Sequence, residues 1–359
     1  MIARLPRPLA WLLATLLAAT AVWCLTAKPP PIRTAAKGGY TDVHLYHDIA
    51  AEVAKGKPYH LAAAELHRAH HYPLKPFVTM RPPTLVWLAA KIGWANLQRL
   101  GYVVAAIAVF GWVVAFEGRL DWSERVLVAV AVGAGCAQVV DQGVLALHEY
   151  WAGWFTGIAL AGVIGWPRKW VLILLPAALG LAVRELALPF ALLSLAFAVI
   201  ERKPKQMLGW ALLIAAFGLG MWIHAQDVNA LLKRGDITSP GWHAGQGFSA
   251  FLKAVIFTSV LQDLPLNLAL LAAMLPLFGW AAMGGRAGLF ALLFVGGDAF
   301  MISAFSRADT FYWGAIMLPH YFVGFALLPR AFWQLGQAVR FPPALRKPFP
   351  LQTTAIGLP

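Results

Sequence analysis

The sequence is poor in charged residues and in cysteine, and both shortages limit the kinds of protein it can be. Only 13% of its 359 residues are Asp, Glu, Lys or Arg, whereas 60% are hydrophobic. A soluble domain carries roughly 25% charged residues. The two cysteines, Cys24 and Cys136, both lie in apolar runs, and no pair has CxxC spacing. We therefore expect neither a disulfide nor a cysteine-based metal or redox centre.

Several enzyme signatures are also missing. The chain has no Walker phosphate loop, no Gly-x-Ser-x-Gly elbow, no His-Glu-x-x-His motif and no Gly-x-Gly-x-x-Gly fingerprint. A transferase that uses a nucleotide sugar normally needs a soluble nucleotide-binding domain, and no segment of this sequence predicts one. Any donor substrate is therefore expected to come from the membrane.

What the chain has instead is a series of long hydrophobic runs, with a mean hydropathy of +0.66. Each run is bounded by charged residues, proline or glycine, and the ten-residue alternation of a membrane barrel is missing. The pattern predicts an all-α polytopic membrane protein with about ten transmembrane helices. The predicted spans are 9–27, 95–116, 126–147, 152–166, 170–183, 187–200, 207–225, 264–283, 287–305 and 311–330.

The first run, 9–27, follows Arg4 and Arg7 and has two interpretations. Basic residues before an apolar run are typical of a cleaved signal peptide. The run is long for such a peptide and lacks a clear Ala-x-Ala site before the prolines. We therefore favour an uncleaved first span.

Basic residues in the short links mark one face of the membrane. The short links predicted on the other face carry only Arg184 and Arg307, so the positive-inside rule, which counts short links, makes the first face cytoplasmic. We expect a multi-pass protein of a bacterial inner membrane whose active site faces the periplasm. The net charge of +13 fits cytoplasmic loops beside anionic lipid and a site for an anionic substrate, with no role for nucleic acid.

We predict a single transmembrane domain, 1–359, with two substantial outer segments. The first outer loop, 28–94, is expected to hold amphipathic helices at about 43–55, 60–70 and 84–93. The second outer loop is 226–256, and a basic cytoplasmic tail occupies 331–359.

Charged residues at the predicted outer face are the candidates for chemistry, because charge at a membrane boundary is costly and usually functional. Arg184 and Arg307 are candidate phosphate ligands, since a guanidinium fork suits phosphate oxygens. Their other interpretations are a structural ion pair for Arg184 and interfacial anchoring for the segment of Arg307. The accompanying polar candidates are His148, Glu149, Glu185, Asp309 and Tyr312.

Asp42 stands near the start of the helix predicted at 43–55, with Tyr46 one turn further on the same face. A carboxylate just outside the bilayer can deprotonate an acceptor hydroxyl. Aspartate is also a favoured helix N-cap, so position alone leaves both roles open.

Six of the ten histidines fall between residues 44 and 71. His67 with His70 or His71 has helix-compatible metal spacing, but no cysteine or close carboxylate completes a zinc site. A polar, pH-sensitive surface is the simpler interpretation. We predict no metal site and no cofactor, although a divalent metal stays possible.

Short motifs along most of the chain resemble the GT-C superfamily of membrane glycosyltransferases, which use polyprenyl-phosphate sugars. The first-loop motif is Thr41-Asp42-x3-Tyr46-x2-Ile49-Ala50-x2-Val53-x2-Gly56-x-Pro58-Tyr59. Later stretches similar to the mannosyltransferase-like bacterial branch are Pro73-x2-Pro76-Phe77, Arg81-Pro82-Pro83-Thr84, the segments 148–153 and 184–189, and Arg307 with Tyr312-Trp313-Gly314. The chain departs from many members because Asp42 has no acidic neighbour before Asp48 and no large C-terminal periplasmic domain follows.

The resemblance implies inverting transfer of a hexosyl or pentosyl unit from a polyprenyl-phosphate donor to a lipid or glycan acceptor of the cell envelope. It makes Asp42 the general base. Arg184 and Arg307, with His148 and Arg81 as further candidates, would stabilise the leaving phosphate. Glu149 and Glu185 would orient the arginines or bind sugar hydroxyls.

Other functions stay open at this stage. An O-antigen-ligase-like transferase uses an outer Arg/His pair in a large late loop, for which 226–256 is a weak candidate. A transporter or flippase of lipid-linked sugar would place charged or broken helices near the bilayer midplane, often in two related halves, and the sequence has no repeat. A non-catalytic assembly factor would tolerate loss of Asp42.

Overall fold

The computed structural model describes residues 1–26, 39–242 and 245–349. Within these ranges the regular structure is helical, with one isolated strand-like bridge between Lys75 and Thr238. The α-helices are α1 Arg7–Thr26, α2 Asp42–Ala54, α3 Tyr59–Ala69, α4 Thr84–Ile92, α5 Trp94–Ala115, α6 Trp122–Gly135, α7 His148–Gly165, α8 Trp170–Val183, α9 Leu188–Ile200, α10 Pro204–Ala230, α11 Phe248–Phe257, α12 Leu266–Trp280, α13 Gly285–Phe305, α14 Leu318–Tyr321 and α15 Val323–Arg340.

Four helices in the described part of the chain, α1, α5, α10 and α13, are long and apolar enough to cross a membrane. A fifth span results if the bent segment Ala308–Ile316 with Leu318–Arg340 crosses as one unit. Further apolar helices of 10–17 residues accompany them. The prediction of an all-helical chain is confirmed, and its apolar helices suit a membrane-embedded protein.

The first-loop helices lie close to their predicted positions. The ranges 43–55, 60–70 and 84–93 correspond to α2, α3 and α4. Gly93 has a φ of 77°, which favours glycine and lets α4 turn directly into α5. The interval 28–38 lies outside the described residues.

The break predicted within 170–200 is also present. Helix α8 ends at Val183, Arg184 is extended with a φ of −151°, and α9 begins at Leu188. The charged pair ends the apolar helix because its side chains bind polar partners rather than lipid.

The predicted span 126–147 is wrong in its second half. Helix α6 ends at Gly135, and 3₁₀ turns follow at Ala137–Val140 and Val144–Ala146. A Cβ on Gly135 would lie 2.7 Å from the Leu318 carbonyl oxygen, so the backbone of α14 packs directly on this helix end. Asp141 then turns the chain, accepting the Gly143 N–H at 2.9 Å.

The segment 226–256 is only partly a loop. Helix α10 continues to Ala230, and α11 is a core helix with Phe251, Leu252 and Val255 fully buried. Likewise, the predicted tail 331–359 begins inside α15, which buries Ala331, Leu335 and Ala338. Apolar faces packed against neighbouring helices account for both differences, and residues 350–359 lie outside the described ranges.

The predicted last span, 311–330, is broken rather than continuous. Its two parts meet at an angle of 64°. At the break the Trp280 indole donates to the His320 carbonyl at 3.0 Å, and the Tyr321 hydroxyl donates to the Ala273 carbonyl at 2.5 Å. Because exposed carbonyls are costly in a bilayer, these internal partners make the break tolerable.

Candidate active site

The cap of helix α2 is not Asp42 but the residue before it. The Thr41 N–H donates to His44 Nδ1 at 3.2 Å, and the Thr41 hydroxyl lies 2.8 Å from the same nitrogen. Thr41 is extended, as an N-cap should be, and Asp42 is the first helical residue. The Asp42 carboxylate is therefore available for another role.

That carboxylate faces two tyrosines and an arginine. The hydroxyls of Tyr72 and Tyr312, the Arg81 guanidinium and Glu149 all lie near enough to influence its charge. Burial raises the pKa of Asp42 above its ordinary value, and Glu149 acts in the same direction. Arg81 and the two hydroxyls act in the opposite direction and lower it. A carboxylate with a raised pKa is a stronger base than an exposed one.

A cluster of buried ion pairs lies next to the Asp42 carboxylate. Arg184 Nε donates to Glu149 Oε1 at 2.7 Å, and its Nη1 contacts Glu185 Oε1. The Arg184 side chain is only 1% exposed. The guanidinium of Arg184 is already paired with both carboxylates. Arg184 therefore stabilises this cluster and is not free to bind a phosphate.

Arg81 is the cation placed to meet a substrate. Its Nη2 lies 3.4 Å from the Tyr312 hydroxyl and 4.0 Å from Glu149, and its Nη1 lies 4.0 Å from Glu185. Its Nη1 donates to the Val78 carbonyl at 3.0 Å. Its Nε has no hydrogen-bond partner among the described residues. Longer, weaker contacts leave Arg81 better able than Arg184 to exchange partners.

Tyr46 and His148 pack against each other behind this cluster. Their ring centroids are 4.8 Å apart in an edge-on arrangement, and both side chains are buried. Neither ring nitrogen of His148 has a hydrogen-bond partner within the described ranges. Its burial keeps His148 from direct contact with a bulky phosphate, so a structural role at the start of α7 fits better.

Arg307 and Asp309 do not join the cluster. The Arg307 guanidinium donates two hydrogen bonds of 2.9 Å to Asp309 and one of 2.8 Å to the Gly241 carbonyl. The Asp309 side chain is 68% exposed. The two residues share one 3₁₀ turn, which brings the carboxylate within reach of the guanidinium. Arg307 thus stabilises the position of the 231–242 segment. From this turn, Tyr312 is the residue that lies in the candidate site.

Sequence reasoning did not single out Tyr72. It follows α3 in an irregular segment, so no helical period assigns it a face. Its only signal was its place in the first loop, between a histidine pair and Pro73.

The histidines of the first loop have separate partners. His67 Nδ1 lies 2.9 Å from the Pro73 carbonyl, His70 stacks on Tyr40 at 3.5 Å, and His47 stacks on Trp94 at 3.9 Å. His60 Nε2 lies 3.0 Å from His224 Nδ1. Across the described residues, no three His, Cys, Asp or Glu side chains are grouped to hold a metal ion.

The site residues come from helix ends: Asp42 opens α2, Glu149 lies in the first turn of α7, and Arg184 follows α8. A scan against protein-family models and searches of curated proteins and of solved structures give no match to this chain. The chemistry of the site is therefore argued from its own residues.

Proposed function

We propose that this chain is a membrane glycosyltransferase that moves a sugar from a polyprenyl-phosphate donor to an acceptor hydroxyl with inversion. The observation that supports it most is the partly buried Asp42 carboxylate, with its raised pKa, beside the cationic Arg81. A base and a phosphate-binding cation in one site are what transfer from a sugar phosphate requires. The motifs that resemble the GT-C superfamily supply several of the same residues.

In the proposed reaction, Asp42 takes the proton of the acceptor hydroxyl while its oxygen attacks C1 of the sugar. The bond from C1 to the lipid phosphate breaks, and the phosphate leaves with an added negative charge. Arg81 stabilises that charge, which in a partly dry site contributes a few kcal/mol, roughly 2.7–4 by analogy with other oxyanion donors. Glu149 and Glu185 hold Arg184 and, at longer range, Arg81 in place.

We further propose about ten membrane crossings, with the site at the periplasmic face of a bacterial inner membrane. The shorter helices α6, α7, α8, α9 and α12 would provide five crossings beyond those of the four full-length helices and the bent last segment. The helix ends away from the site carry basic residues: Arg119 follows α5, Lys169 precedes α8 and Lys203 precedes α10. That distribution supports a cytoplasmic location for the opposite face.

The direct test is donor turnover by the purified wild-type protein in lipid nanodiscs. Polyprenyl-phosphate sugars with a radiolabelled sugar are supplied together with an envelope lipid extract as acceptor. We expect release of polyprenyl phosphate and transfer of label. If every donor stays intact while labelled donor crosses a proteoliposome membrane, the protein is a flippase and the proposal fails.

The pH dependence of the reaction should report on Asp42. The base works only when deprotonated, so activity is lost as pH falls through its pKa, and the raised pKa places this acidic limb above that of an ordinary aspartate. Tyr72→Phe removes a hydrogen bond that lowers the pKa, so the limb should move to higher pH. The measurement is kcat/KM against pH.

Tyr40→Phe is the matched control, because its hydroxyl donates to Asp48 at 2.7 Å rather than to Asp42. The limb of this variant should coincide with that of the wild type. A limb that Tyr72→Phe leaves in place, or shifts to lower pH, would contradict the assignment of the base.

A further inference from the structure

A cavity lies at the end of the bundle opposite the candidate active site. Its volume is about 240 Å³, and it lies among α7, α8, α9, α10 and the start of α13. Apolar and aromatic side chains, among them Trp170, Ile173 and Phe197, form most of its wall. Such a wall suits the first carbons of an acyl chain.

The mouth of this cavity is cationic. Arg119 and Arg286 line it, and the Arg286 guanidinium lies 5.8 Å from the centre of the Phe197 ring. Arg286 pairs with Glu201, but Lys203 also binds Glu201 at 2.8 Å. Two cations therefore share one carboxylate and Arg119 also lines the cavity, so positive charge is in excess there.

The N-terminus of helix α13 opens at the same place. Gly284 and Gly285 line the cavity, and no side chain caps this helix end. The first N–H groups of a helix have no partner within it, and they carry the positive end of its dipole. With Arg286 beside them, they form a site for a phosphate oxygen.

A buried hydroxyl gives an independent indication of a ligand. Ser194 lines the cavity, is 6% exposed, and its Oγ has no hydrogen-bond partner among the described residues. Buried polar groups are usually satisfied, so an unpaired hydroxyl facing a cavity points to a missing partner. An ester or glycerol oxygen of a lipid would accept its hydrogen bond.

We propose that this cavity binds one anionic phospholipid from the surrounding leaflet. The headgroup phosphate contacts the N-terminus of α13 and Arg286, an oxygen near the glycerol accepts from Ser194, and the chain lies against Trp170 and Phe197. This binding does not depend on glycosyl transfer. It would stabilise the junction of α8, α9, α10 and α13 at the basic face.

The test is native mass spectrometry of the full-length protein titrated with phosphatidylglycerol or with phosphatidylcholine of identical chains. We expect the wild type to bind the anionic lipid about tenfold more tightly, a difference of about 1.4 kcal/mol. Arg286→Gln should remove this preference, and Ser194→Leu, which narrows the cavity and deletes a contact that both lipids share, should weaken the binding of both. Arg340→Gln is the control, since Arg340 is an exposed arginine on α15 that does not line the cavity.

Equal affinity of the wild type for the two lipids, or affinities that Ser194→Leu leaves unchanged, would overturn the proposal. Inorganic phosphate is the competing probe. If millimolar phosphate displaces the anionic lipid completely, the site recognises free phosphate, and the assignment to a lipid is wrong.

Discussion

Asp42→Asn is expected to abolish sugar transfer while the protein stays folded. The amide keeps the shape of the carboxylate but cannot take a proton from the acceptor, and a positioned base contributes about 10²–10⁴-fold to rate. The fold should survive because Thr41 and His44, not Asp42, cap helix α2. The measurement is release of polyprenyl phosphate, with the melting temperature recorded in parallel.

Asp48→Asn is the matched control on the same helix. Asp48 is exposed and accepts a hydrogen bond from Tyr40, away from the tyrosines that face Asp42. Its replacement should leave turnover unchanged. Full activity in Asp42→Asn would remove the base from the mechanism, even if the wild type turns over donor.

Arg184→Met should have the largest effect on stability. Its side chain and that of Glu149 are 1% and 2% exposed, so the variant leaves a buried carboxylate without its cation. Removing one partner of a buried pair typically costs 3–5 kcal/mol, and we expect a loss of about that size in the free energy of unfolding. Denaturant unfolding in detergent micelles, followed by tryptophan fluorescence, measures it.

Two further variants separate this explanation from a general loss of packing. Adding Glu149→Gln to Arg184→Met removes the unpaired charge and should recover part of the stability. Arg307→Met breaks the partly exposed pair with Asp309 and the hydrogen bond to the Gly241 carbonyl, and should cost only about 1–2 kcal/mol. Equal losses for Arg184→Met and Arg307→Met would contradict the buried-pair interpretation.

Local patterns were enough to predict the parts of the fold that depend on neighbouring residues. The charged pair at 184–185 predicted the break between α8 and α9, and the turn residues of the first loop predicted α2, α3 and α4. The early end of α6 was not predictable, because it depends on close contact between Gly135 and the backbone of Leu318.

The candidate site shows the same division. Sequence position indicated Asp42, Glu149 and Arg184, since each carries charge at the edge of an apolar run. It placed Arg184 and Arg307 ahead of Arg81 as phosphate ligands, because which carboxylates each arginine meets after folding is not visible in the sequence. Arg307 is bound by Asp309 two residues away, whereas Arg81 meets Glu149 and Tyr312 only through tertiary structure.

The break in the last span gives the site one closed flank. All four residues of α14 are buried, its His320 carbonyl accepts from Trp280, and its Tyr321 hydroxyl donates to Ala273 of α12, so protein shields this flank from lipid. On the opposite flank, the segment Phe77–Thr79 meets the largely exposed helix α10. A substrate with a membrane-embedded tail would accordingly approach the site beside α10. The packing of the helices, rather than any substrate-binding side chain, would determine this direction of entry.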